Sequence, residues 1–172
     1  MKADINHIMK NAKYWVENIG MLEHPEGGYF KETYRAEGAF NPEGFSGERN
    51  FATSIYFLLE KDNVSHFHRI KSDEIWYYHA GSPLTVHVIF PNGELKELKI
   101  GPNIENGEVL QAVVPANTIF GSTCTNDYSL VGCMVSPGFD FNDFELFPTS
   151  QLLELYPMHK GIIETLSKET YK

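Results

Sequence analysis

The stretch Val64–Gly81, VSHFHRIKSDEIWYYHAG, sets two histidines two residues apart, then a carboxylate, then a glycine where a strand should end. Side chains two apart on a strand share a face, so His66 and His68 look the same way. On the next run Glu74, Trp76 and Tyr78 share one face, and Ile75, Tyr77 and His79 share the other. With Glu74 directed inward, two neighbouring strands bring imidazoles, a carboxylate, an indole and a phenol to one wall. Polar groups converging on an aromatic surface are the usual make-up of a small-molecule pocket.

The same short-strand rhythm continues on both sides. TSIYFLL, LTVHVIF, ELKELKI, VLQAVVP, TIFGSTC and YSLVGCMV are brief apolar or alternating runs, parted by EKDN, PNG, GPNIENGE, AN and ND. Strands at this spacing argue for an all-β sandwich or barrel and against a βαβ sheet. Ahead of them, DINHIMKNAKYWVENIG carries a helical apolar stripe that predicts a helix over 4–20, with Asp4 as its cap and Gly20 as its stop. HPEGGYFKETYR follows as a turn and an alternating strand. The tail SQLLELYPMHKGIIETLSK has helical spacing over 149–168, broken at Pro157. The whole chain, 1–172, reads as one domain with a β core over 28–147.

Composition narrows the functional classes. The 172 residues are 42% hydrophobic and 22% charged, enough for a packed core, and disorder is excluded on that balance. The net charge is −9 and no cluster of Lys and Arg forms the basic stripe that a nucleic-acid partner would require. No run has membrane-spanning length and the N-terminus lacks a signal-peptide core, so a cytoplasmic location is expected. STCTNDYSLVGC predicts a hairpin turning at Asn126-Asp127. That hairpin would pair Cys124 with Ser129 and Cys133 with Phe120, holding the thiols roughly 13 Å apart at ~3.3 Å per residue, too far for a disulfide. Free thiols fit a reducing compartment.

The quoted stretch resembles the first signature of the cupins: His-x-His, a short spacer, Glu, six residues, Gly. The gap from His68 to Glu74 is one residue longer than the family pattern. The surplus residue is placed in the KSD turn, with Asp73 as the rival carboxylate. The second signature, VVPANTIFG, has Phe120 in place of the expected histidine, so the full set of three His and one Glu is lacking. HPEGGYFKETYR, TSIYFLL, SHFHRIKSDEIWYYHAG, VVPANT and LVGCMVSPGFDFNDFEL together resemble one cupin subfamily long described as a domain of unknown function. The resemblance implies a double-stranded β-helix, the jelly-roll barrel of the cupins, usually a homodimer and similar to sugar-nucleotide epimerases that work without metal.

Two mechanistic readings stay open at this stage, and a third needs no catalysis. In the first, a metal-independent isomerase, epimerase or lyase acts on a small sugar-like or carbonyl molecule. His68 takes a proton beside the carbonyl, Glu74 orients it, and Tyr78 returns the proton. In the second, His66, His68 and Glu74 form a facial triad for a divalent metal such as Fe, Mn, Ni or Zn. In the third, the chain is a non-catalytic small-molecule binding module. Further candidate ligand-binding residues are His66 and Trp76, Glu32 and Tyr34 on one face of GYFKETYR, Arg35 on its other face as an anion clamp, Tyr56, and Gln111 as an amide in an apolar strand. HPEGG reads first as a tight turn, and the resemblance draws attention to Glu26. PGFDFNDFEL reads as an aromatic strap across the barrel or a dimer surface. His7, His24 and His159 are given no role.

Overall fold

The structure is a computed structural model and describes residues 10–171. In chain order the elements are α1 (Ala12–Ile19), β1 (Leu22–Glu23), β2 (Tyr29–Arg35), β3 (Ala39–Phe40), β4 (Arg49–Asn50), β5 (Thr53–Glu60), β6 (Val64–Arg69) and β7 (Asp73–Gly81). There follow β8 (Leu84–Ile89), β9 (Leu95–Ile100), β10 (Gln111–Val114), β11 (Ile119–Cys124), β12 (Tyr128–Ser136), β13 (Glu145–Leu146), α2 (Thr149–Leu155) and α3 (Lys160–Leu166). A six-stranded sheet runs β1-β2-β5-β12-β7-β10 and a five-stranded sheet runs β13-β6-β11-β8-β9. The two remain separate sheets, and their pairing is antiparallel throughout, as a jelly roll requires.

Period-2 alternation explains where the core sits. On β5, Phe57 and Leu59 point between the sheets with Trp76, Val86, Phe120 and Val131, while Leu58 points out under α1 with Leu130 and Tyr128. Trp15 of α1 is fixed there by its indole N–H, which donates to the Tyr128 hydroxyl at 2.9 Å. Phe67, Ile89 and Ile119 on the outer face of the five-stranded sheet are covered by Leu152, Ile163 and Leu166 of α2 and α3. The tail therefore breaks at Pro157 as expected, and its apolar stripe closes a second core.

Two expectations are corrected. Helix α1 starts at Ala12, capped by Asn11, whose side chain accepts from Tyr14 N at 2.9 Å; the Asp4 cap and residues 4–9 lie outside the described residues. The hairpin at Asn126-Asp127 does not form: β11 pairs with β6 and β8, and β12 pairs with β5 and β7. Both strands are buried along nearly their whole length, and a central strand needs a neighbour on each side, so each satisfies its backbone within its own sheet. The Thr125–Asp127 link carries the chain from one sheet to the other. Cys124 and Cys133 are nonetheless free and buried. No helix among the described residues is long and apolar enough to cross a membrane.

Candidate functional site

Between the sheets lies a cavity of about 340 Å³, a size that suits a small molecule. Of the residues singled out from sequence, His68, Glu74 and Trp76 line it, and Glu32 and Arg35 stand at its open end. Glu74 is the inward carboxylate, while Asp73 is exposed and accepts the Ala116 N–H at 2.8 Å.

The other candidates lie elsewhere, and three β-bulges account for much of the difference. On β6, His66 and Phe67 together oppose the single residue Gly121, so Ser65 and His68 face inward and His66 is turned aside. Its ring packs edge-on against Tyr171, centroids 5.5 Å apart, outside the cavity lining. On β2, Thr33 is the extra residue: Glu32 pairs with Ile55 but Tyr34 with Ser54. The bulge turns Tyr34 out to 56% exposure and brings Arg35 to the same side as Glu32. On β7, His79 is the extra residue. Tyr78 faces inward but lies four residues beyond Glu74, roughly 13 Å along the strand, and its hydroxyl donates to Gly81 O at 2.8 Å. Tyr56 sits on the outer face against His79, and Gln111 is exposed.

The residue that sequence reasoning undervalued is Glu26. The segment His24–Gly28 turns on itself, with His24 N–H to Gly28 O at 2.9 Å and Gly27 N–H to His24 O at 2.9 Å. It presses onto β6, where both the backbone N–H of His66 and its Nδ1–H donate to Glu26 O at 2.7 and 2.6 Å. A Cβ on Gly27, at φ +111°, would sit 2.0 Å from Val64 O, so only glycine allows this approach. The turn drives the Glu26 carboxyl inward. There Oε1 accepts the Ser65 hydroxyl at 2.9 Å, and Oε2 lies 3.0 Å from His68 Nε2.

The hydrogen bonds place a proton on His68 Nδ1, and burial disfavours the charged form of the pair. Nδ1 of His68 lies 2.7 Å from His66 O, a pure acceptor, so Nδ1 carries the proton. A neutral His68 then has a bare Nε2, and the 3.0 Å contact requires the proton of a Glu26 carboxylic acid. Burial supports the same state: it lowers His68 to about 3, and burial together with the Glu74 charge raises Glu26 well above the usual carboxylate range. His24 accepts the Glu26 N–H on Nδ1 at 3.2 Å, leaving its Nε2–H without an acceptor among the described residues. Burial lowers His24 to about 4. Glu74 has no cationic partner among the described residues. Burial raises it to about 7, with the Cys133 thiol donating to it and pulling slightly the other way.

The aromatic strap is the outer wall of this site. Phe139, Phe141 and Phe144 line the cavity and pack on one another at centroid distances of 5.0–6.1 Å. The Phe144 ring also lies 5.3 Å from that of His68. A buried fork holds the strap: Arg49 on β4 donates through Nε and Nη2 to Asp143 at 2.7 and 2.9 Å.

A cupin-type metal centre would need His66, His68, Glu74 and a ligand at position 120. Here His66 is turned aside, the Phe120 ring lies 4.1 Å from the His68 ring, and His68 Nε2 is engaged by Glu26. The triad expected from sequence, His66, His68 and Glu74, therefore does not converge on one point. Among the described residues no group of three or more His, Cys, Asp or Glu side chains converges to hold a metal.

Residues 13–147 match the family described as the cupin superfamily (DUF985). The sequence is similar to the uncharacterised protein YML079W of Saccharomyces cerevisiae, 36% identical over 138 residues, which is 72% of this chain and 68% of that protein. Among solved structures it is similar to a protein from Shewanella oneidensis, with a TM-score of 0.88 and 47% identity over 94% of this chain and 100% of that one. It is also similar to a hypothetical protein from Leishmania major, with a TM-score of 0.87 and 40% identity over 92% and 99%.

Proposed function

The chain belongs to this cupin superfamily (DUF985) family, and on that footing we propose that it is a metal-independent acid–base enzyme, an isomerase, epimerase or lyase acting on a small carbonyl or sugar-like molecule. The observation that carries this reading is the pairing of a buried proton-sharing couple, Glu26–His68, with a second buried carboxyl, Glu74, in one aromatic-walled cavity. Groups of the same type held in different environments are how one site supplies both an acid and a base.

Glu74, raised to about 7, is poised near cellular pH and acts as the base. It takes the proton from carbon beside the carbonyl, and the C–H electron pair moves through that carbon to the carbonyl oxygen. Glu26, backed by His68, gives its proton to that oxygen, and the unengaged Nε2–H of His24 stabilises the charge as it forms. Where the deprotonated carbon carries a hydroxyl, Glu74 returns its proton to the former carbonyl carbon while that hydroxyl gives its own proton back to Glu26, and the product is an isomer. In this scheme the partner of His68 is Glu26, and Tyr78 has no part.

The test is untargeted. Purified protein is incubated with a metabolite extract in deuterium oxide, and masses are compared between wild type, Glu74→Gln and His68→Ala. A metabolite that gains one deuterium with wild type alone supports the reading. A metabolite retained by the wild type, with no exchange anywhere in the extract, would make the chain a binding module instead. Exchange unchanged by His68→Ala would end this mechanism.

A further inference from the structure

The charges around the cavity restrict what it can hold. Among the described residues its lining includes four carboxyl groups, Glu26, Glu32, Glu74 and Asp140, and a single cationic side chain, Arg35. Arg35 is already engaged. Its Nε and Nη2 donate to the two oxygens of Glu32 at 3.0 and 2.7 Å, and its Nη1 donates to Asn50 Oδ1 at 2.9 Å and Phe139 O at 3.2 Å. Four of the five guanidinium N–H groups are thus taken, and the fork that would grip a carboxylate or phosphate is closed by the chain's own acid. The two histidines in the lining offer no cation either, since both are held neutral by burial.

We infer that the ligand of this cavity is uncharged: it carries no carboxylate or phosphate, and its polar groups are hydroxyls and a carbonyl facing the inner carboxyls, with an apolar face against the Phe139–Phe144 wall. The inference rests on the reading of this cavity as the substrate site. It narrows that reading, because a sugar nucleotide brings a diphosphate and, among the described residues, the cavity has no open cation to receive it. Protonated carboxyls can both donate to and accept from hydroxyls, so Glu26 and Glu74 are suited to a neutral polyol or hydroxy-carbonyl compound. An anion there meets Asp140 at the mouth and no free guanidinium fork, with a low-dielectric wall behind it.

The experiment is a fragment screen on the full chain, with matched anionic, neutral and cationic members on the same skeletons. Cavity occupancy is read from the Trp76 indole and the His24 and His68 ring signals by NMR. Neutral members are expected to bind, and their anionic counterparts to bind roughly tenfold more weakly or worse. Glu32→Gln, which opens the Arg35 fork, is expected to narrow that gap. Anionic members binding as well as the neutral ones, or cationic members binding best, would overturn the inference alone. No fragment of any charge reaching those signals would overturn the cavity as a ligand site, and the inference with it. Neutral ligands bound with no deuterium exchange would sink the enzyme reading and leave this inference standing.

Discussion

Replacing Glu74 by Gln tests the electrostatics of the site without needing a substrate. Burial raises this carboxyl from 4.5 to about 7 in the folded chain, while the unfolded chain leaves it near its ordinary value. Between those limits the folded protein keeps a proton that the unfolded protein releases. Its contribution to stability is therefore whole below about pH 4.5 and is lost as pH rises through about 7. A shift of that size corresponds to about 3 kcal/mol. Gln keeps the shape and cannot ionise, so the variant matches wild type at pH 4.5 and is more stable by about 3 kcal/mol at pH 8.5. Relief of the Glu74 charge on Glu26 adds to the gap in the same direction. Urea unfolding of both proteins across that range measures it, and thermal scans should show the variant roughly 6–12 °C higher at the alkaline end. A difference that stays flat with pH would refute the argument. A variant that becomes the less stable protein at high pH would show that Glu74 is ionised against a cation.

Three further outcomes follow from the same geometry. The His68 ring should remain neutral with its proton on Nδ1 across pH 5–8, because burial lowers it to about 3 and His66 O accepts from Nδ1; two-bond ¹⁵N–¹H spectra give both the tautomer and the titration. Gly27→Ala should cost about 2–3 kcal/mol and move the His68 signals, since its Cβ would meet Val64 O at 2.0 Å; urea midpoints and the ring shifts check both. Asp143→Asn should destabilise by about 1.5–3 kcal/mol through the weakened charge-assisted bonds to Arg49; Arg49→Met combined with Asp143→Leu should recover much of that loss.

The fold was legible because period-2 alternation and turn residues are local signals. Trp76 was placed on the inward face with Glu74 from spacing, and it lies in the core. The hairpin at Asn126-Asp127 misled because a short polar turn looks the same whether it reverses a strand within one sheet or hands the chain to another. Which occurs is decided by neighbours on both sides of β11 and β12, far away in sequence. The site was legible only where alternation held. Glu74 and Trp76 lie on a stretch of β7 ahead of its bulge, His68 comes just after the bulge on β6 opposite Phe120, and all three line the cavity. His66, Tyr34 and Arg35 stand at or just beyond a bulge, and each faces the side opposite to its strand parity. One extra residue reverses parity, and nothing in HFHR or KETYR announces it.

Glu26 was hidden for a different reason, and that reason explains how the site works. It lies 42 residues from His68, in a turn whose glycines suggest only a change of direction. Yet those glycines let the turn lie against β6 closely enough for His66 to hold its backbone. The first histidine of the His-x-His pair has therefore left the cavity and fixes, through the Glu26 carbonyl, the acid that pairs with the second. A metal-type signature has been rearranged into a proton-sharing couple: Phe120 fills the position of one ligand, a bulge displaces another, and a carboxyl from outside the signature takes the vacated nitrogen. Burial disfavours the charged forms of Glu26 and His68 but leaves Glu74 near its midpoint at cellular pH, so one carboxyl that can give a proton faces the same cavity as one that can take it.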